Sequence, residues 1–167
     1  MSRVSDVDFE RIYDEQVDRL TRIGFLVCGD ERTAEDAVSA AVSKVLPRWR
    51  AGRVGDPAGY LRRAVLNELL GGFRRRAVER RAIERMAERS PVEPGFVEGV
   101  VDRDALWVAL LGLPRSQRAV VVLRYYDDLT EDQTAQVLGV SVGTVKSRAS
   151  RAITQMRRML EEERSDA

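Results

Sequence analysis

The residues of this 167-residue chain best suited to chemistry are hydrogen-bond donors and cations gathered near its C-terminal end. Thr144, Lys146, Ser147, Arg148, Ser150 and Arg151 lie close together, and no acid falls between Val142 and Arg158. At about 100° per residue, Thr144, Ser147 and Arg151 share one side of a helix, with Lys146, Arg148 and Ser150 on its flanks. Val142, Val145, Ala149, Ala152, Ile153, Met156 and Leu160 take the opposite side. One face can therefore be buried while the other offers donors and positive charge. Such side chains read base edges and phosphates when a helix lies in a DNA major groove. An ordinary amphipathic surface helix would merely solvate them, and the preceding segment argues against that. Thr130 and Gln133 fit a capping box that starts a short helix. Ala135 and Leu138 share one face of it, and Gly139 supplies the backbone angle that ends it. Ser141 can cap the next helix at Val142. Together these residues spell a helix-turn-helix.

Composition excludes most other chemistry. There is no histidine, so His triads and His metal sites are ruled out. The single Cys28 forms no internal disulfide and reads as a small buried apolar residue. No Gly-rich phosphate loop, metal-spaced cluster or nucleophile with a base is present, and Asp127-Asp128 read as turn residues. The chain is thus not expected to be an enzyme or to carry a cofactor or metal. Hydrophobic residues make up 44%, enough for a core, and net charge is only +1. Acids outnumber bases from Met1 to Asp36, whereas Gly71 to Arg89 holds seven Arg against three Glu. Different partners are therefore expected on different segments. The start, MSRVSDVDFE, is too polar for a signal peptide, and no apolar run approaches a membrane span. A soluble, cytoplasmic protein without membrane insertion is expected.

The elements that must position these residues are helical. The first helix is expected from Asp8 to about Val27, with Phe9, Ile12, Tyr13, Val17, Leu20 and Ile23 or Gly24 on one side. A second is expected from near Thr33 as N-cap, carrying Ala37, Val38, Ala41, Val42 and Val45, and ended or kinked by Pro47. Asp56-Pro57 opens a third, through Tyr60, Leu61, Ala64, Val65, Asn67 and Leu69. Gly71-Gly72 weakens that helix before an arginine-rich continuation. SPVEPGFVEG reads as a linker. Helical periodicity resumes at Asp104 with Leu106, Trp107, Leu110 and Leu111, breaks at Leu113-Pro114, and continues from Arg115 to Tyr126. The fold class is all-α: two small helical domains, residues 1–89 and 104–167, joined by a linker over 90–103, the second domain being the helix-turn-helix.

Three blocks carry a resemblance. LPRSQRAVVVLRYYDDLTEDQTAQVLGVSVGTVKSRASRA, with its leading Leu-Pro, the pair Tyr125-Tyr126 and the run GTVKSR, resembles the C-terminal DNA-binding domain of bacterial sigma factors of the extracytoplasmic-function type. AEDAVSAAVSKVLPRW resembles that family's helix gripping the RNA polymerase clamp, and YLRRAVLNELLGGFRRR its helix engaging the promoter −10 element. The arginine-rich composition suits the actinobacterial branch. The resemblance implies a subunit that binds core RNA polymerase and directs it to promoter DNA, in a stress or envelope response, under an anti-sigma factor.

It further implies residue roles. Lys146, Ser147, Ser150 and Arg151 match positions facing the −35 element, with Thr144 and Arg148 holding phosphates. Asn67 matches the −10-binding asparagine, flanked by Arg63, Arg74 and Arg75. Asp36, Ser39, Ala40 and Ser43 match the polymerase-binding helix. Phe73 is either a stacking ring or packing, and Arg74-Arg75-Arg76 either a binding or a solvated face. The chain departs from the family pattern at Ser39-Ala40, Val42, Pro47, Gly71-Gly72 and Ser150. The competing reading is a conventional helix-turn-helix regulator acting without polymerase. That reading needs a receiver or ligand domain in front, and residues 1–89 show the pattern of neither.

Overall fold

The computed structural model describes residues 6–84 and 101–166, with side chains from Asp8 to Gly71, from Ala105 to Glu163 and at Ser165. Among the described residues, all regular structure is helical. Helix α1 (Asp6–Cys28) buries Phe9, Leu20, Ile23 and Val27 at helical spacing. Helix α2 (Glu31–Arg50) starts one turn earlier than the sequence suggested. Asp30, not Thr33, is its N-cap: the Asp30 carboxylate accepts the Thr33 amide at 2.7 Å from an extended backbone. Hydrogen bonding from the Thr33 hydroxyl, and then from its amide, holds the Asp30 carboxyl below its ordinary pKa. Pro47 does not end α2. The helix runs on to Arg50, and the Ala51 amide donates to Pro47 O at 3.1 Å. So close to a helix end, the missing proline N–H removes a single bond.

Helix α3 (Pro57–Glu84) begins as expected, Asp56 accepting the Gly59 amide at 3.1 Å with proline in the first turn. It runs without interruption through Gly71-Gly72, so the two glycines lower helix propensity there without breaking the helix. Helices α1 and α2 approach closely where Gly24 meets Ala34. A Cβ at Gly24 would lie 3.0 Å from the Ala34 methyl, so a side chain there would have to push the two helices slightly apart.

The C-terminal half holds α4 (Val101–Leu111), α5 (Arg115–Val121), α6 (Glu131–Leu138) and α7 (Val142–Asp166). Helix α4 starts at Val101, ahead of the apolar periodicity that begins at Asp104. Leu106, expected on its packed face, is 53% exposed. Packing runs instead through Ala109 and Leu110, while Trp107 stacks on Phe25 of α1 with centroids 4.9 Å apart. Helix α5 ends in a π-helical turn, Val122–Tyr126, and the extra residue per turn leaves Tyr125 and Tyr126 exposed while Val122 and Leu123 stay buried.

Helix α7 packs on α4, α5 and α6, and the two halves meet through α3 with α6 and α1 with α5. Their apolar cluster is continuous, joining Leu20, Ile23, Leu61 and Leu66 to Leu123 and Leu129. Arg118 lies buried at this seam. Its guanidinium donates to Val27 O at the end of α1 (3.0 Å), to Leu113 O (3.0 Å) and to Leu111 O. Burial pushes its pKa down, and nearby Cys28 partly offsets that. Burial also pushes the Cys28 thiol up, which keeps it protonated and unreactive, in line with its reading as a small apolar residue.

Leu123 is fully buried at the seam. Leu123→Ala is expected to destabilise the protein by about 2–5 kcal/mol in urea unfolding. A loss below about 1 kcal/mol would contradict its place in the shared core.

Candidate nucleic-acid interface

The helix-turn-helix is built by local hydrogen bonds that the sequence announced. The Thr130 hydroxyl accepts the Gln133 amide at 3.1 Å, and the Thr130 amide donates to the Gln133 side chain at 2.8 Å, closing the capping box. Gly139 sits at φ 63°, ψ 39°, the left-handed region in which a side chain would be strained. Ser141 Oγ then accepts the Thr144 amide at 3.1 Å and opens α7. Along α7, Val145, Ala152 and Met156 are buried, so the opposite face must point outward.

That face carries Lys146, Ser147, Ser150 and Arg151, all exposed, with Arg148 half-buried beside them. Thr144 is half-buried too, its hydroxyl 2.9 Å from Ser141 Oγ. It stands in the first turn of α7, where free amides and the helix dipole favour phosphate. The Lys146 ammonium lies 3.5 Å from the Glu131 carboxylate, and both are substantially exposed. Such a pair is worth little, so a DNA phosphate can displace the acid.

A second constellation lies between α2 and α3. Asn67 and Arg63, both exposed, line a cavity of 510 Å³ with Lys44, Arg48, Tyr60 and Glu68. Arg48 donates to the Tyr60 hydroxyl and lies 5.9 Å from the centre of its ring. Lys44 pairs with Glu68. An aromatic ring, a side-chain amide and cations around one hollow suit an unpaired nucleobase, which stacks on a ring and bonds along its edge. Sequence reading singled out Arg63 and Asn67 but missed Tyr60, Lys44 and Arg48. The signal was present: Tyr60, Arg63 and Asn67 share a face of α3 at steps of three and four, and Lys44 and Arg48 one of α2. The side chains of Phe73, Arg74, Arg75 and Arg76 lie outside the described residues.

Arg63 has a second neighbour. It also lines the hollow beside Asp132, Gly139 and Ser141, so the turn of the helix-turn-helix sits against α3. On α2, Asp36, Ser39 and Ser43 are exposed and Ala40 is half-buried, away from the buried Ala34, Ala37, Val38, Ala41 and Val45. Ser39 also borders a groove of 1090 Å³ between α1, α2 and α4, with Phe25, Leu26, Trp107 and Leu110 among its walls. Among the described residues there is no cluster that could hold a metal ion, and no helix is long and apolar enough to cross a membrane.

Comparison with known proteins agrees with this geometry. In the solved complex of the sigma factor RpoE with the anti-sigma factor NepR from Bartonella quintana, the sigma chain shares the fold with a TM-score of 0.71 at 22% identity, over 92% of this chain and 97% of that one. CnrH, solved with the cytosolic domain of CnrY, matches with a TM-score of 0.63 at 21% identity, over 95% and 91%. Residues 103–156 match the family model described as Sigma-70, region 4. The RNA polymerase sigma-E factor of Streptomyces antibioticus is 33% identical over 170 residues, covering 100% of this chain and 92% of that protein. The ECF RNA polymerase sigma factor SigL of Mycobacterium tuberculosis H37Rv is 32% identical over 158 residues, 90% of this chain and 88% of its own length. The chain belongs to the RNA polymerase sigma factors of the extracytoplasmic-function type.

Proposed function

We propose that this sigma factor holds core RNA polymerase through the Asp36, Ser39, Ala40 and Ser43 face of α2 and reads a promoter at two separate places. One reader, within residues 1–89, is the α2–α3 cavity. There Asn67, with Tyr60 and Arg63, takes an unpaired base of the −10 element, which Arg74 and Arg75 also bind. The other, within residues 104–167, is α7. Lys146, Ser147, Ser150 and Arg151 face the −35 element, and Thr144 and Arg148 hold its phosphates. Residues 90–103 link the two. The chain catalyses nothing itself, polymerase supplies the chemistry, and the protein works in the cytoplasm. The observation that carries this reading is the division of α7: Val145 and Ala152 fully buried, Lys146, Ser147, Ser150 and Arg151 exposed. The match to sigma factors along the full chain favours a polymerase subunit over a free-standing regulator.

Recognition is bipartite and weak at each end. Linked sites gain from effective concentration only when something holds them at the right spacing, and here that is polymerase. An anti-sigma protein regulates the chain by laying an amphipathic helix in the groove walled by Phe25, Trp107 and Leu110. The exposed apolar rim at Leu106 and Tyr126 supports this assignment.

Three outcomes are expected. The free protein binds promoter duplex poorly in a gel shift at physiological salt; tight, sequence-specific binding by the isolated chain would contradict bipartite reading. In reconstituted transcription, Arg151→Ala lowers −35-dependent initiation about 5- to 150-fold, the equivalent of one bidentate base contact, while core affinity is unchanged. An equal loss of core affinity would refute that assignment. Asn67→Ala weakens holoenzyme binding to a single-stranded −10 oligonucleotide by a similar factor and relaxes base preference at one position. Unchanged affinity and preference would remove Asn67 from the base pocket.

A further inference from the structure

We propose that Asp127 is a latch that holds the two halves of the free chain closed, and that it releases when the chain spans a promoter. Asp127 lies just before the helix-turn-helix, and its side chain is fully buried. Its Oδ1 accepts Arg19 Nε of α1 at 2.5 Å, and Arg19 Nη2 reaches its backbone oxygen at 3.3 Å. Arg62 Nε of α3 lies 2.8 Å from Oδ2 on the other side. One carboxylate thus ties together three segments far apart in sequence. Its local structure does not require a carboxylate. The Asp127 amide closes the π-helical turn on Val122 O at 3.0 Å, and among the described residues the side chains paired with its carboxylate are the two arginines of the other half.

The closed arrangement places α6 against α3, with the guanidinium of Arg63 only 3.9 Å from where a Cβ on Gly139 would stand. A compact body of this length has a radius of gyration of about 15 Å and is roughly 40 Å across. The −10 and −35 elements, by their names, lie ~25 base pairs apart, ~85 Å at 3.4 Å per pair. Both readers cannot engage while Asp127 keeps them in contact. The latch is also built to let go. A buried ion pair confers a defined arrangement more than net stability, because desolvation offsets its attraction. Arg19 is 49% exposed, so water can enter from its side. Closure lowers apparent affinity for any partner needing the open form by the fraction that is open. The closed latch stands on geometry alone; its release rests on the promoter reading above.

The test is a distance distribution between spin labels on the full chain, at exposed Asp14 of α1 and exposed Arg157 of α7, with Cys28 replaced by alanine. The wild-type latch is expected to give one short, narrow distribution that lengthens when core polymerase is added. Asp127→Asn is expected to raise the long-distance fraction at least about tenfold. Because that change strands two arginines and can unfold the protein, the neutral triple variant R19Q/R62Q/D127N is measured beside it, with helicity checked by circular dichroism. A long component in either folded variant supports the latch. A folded triple variant that stays closed would overturn it, as would a wild-type chain already open without polymerase. A distance that stays short on core polymerase would overturn release, while leaving the promoter reading to its own transcription assay.

Discussion

The buried stripe of α7 is the constraint on which the rest of this molecule depends. Val145 and Ala152 are fully enclosed and Met156 nearly so, packed against α4, α5 and α6. Helical geometry then leaves Lys146, Ser147, Ser150 and Arg151 no position but the surface. Each small device around it serves that orientation. Gly139 turns the chain through a conformation other residues resist, Ser141 starts the helix at the right residue, and the Thr130–Gln133 box fixes where α6 begins. A shift of one residue in any of them would rotate that polar face by about 100°.

Much of this was legible in the sequence because the signals were local. Capping boxes, a left-handed glycine and an Asp-Pro start depend on neighbours a few residues away, and all three stand where the sequence placed them. The apolar faces of α1 and α2 followed from periodicity for the same reason. Local rules also explain the small misses. Asp30 outcompeted Thr33 as the cap because a carboxylate one turn earlier is the better acceptor, and Pro47 sits too near the end of α2 to break it.

What escaped the sequence depends on contacts across the chain. Leu106 looked like core by spacing, but α4 packs through Ala109 and Leu110 and leaves Leu106 outside. Asp127 looked like a turn residue, and the chain does bend there, with Asp128 in the left-handed region at φ 53°. Its burial between Arg19 and Arg62 needs a tertiary structure to be seen, because the partners stand 108 and 65 residues away. The cavity holding Asn67 likewise combines two helices, and only their packing brings Lys44 and Arg48 beside Tyr60. Buried charge at Asp127 and Arg118 makes the seam between the halves partly polar, although one apolar cluster also runs across it.

The central claim is that the chain selects promoters as part of polymerase, through two readers that work together. The most direct measurement is transcription in vitro from a library of genomic fragments, with core RNA polymerase from an actinobacterium, with and without this protein. The account predicts new transcripts whose upstream DNA shares two elements at one fixed spacing. Transcripts unchanged by the protein, together with a palindromic footprint made by the protein alone, would contradict it.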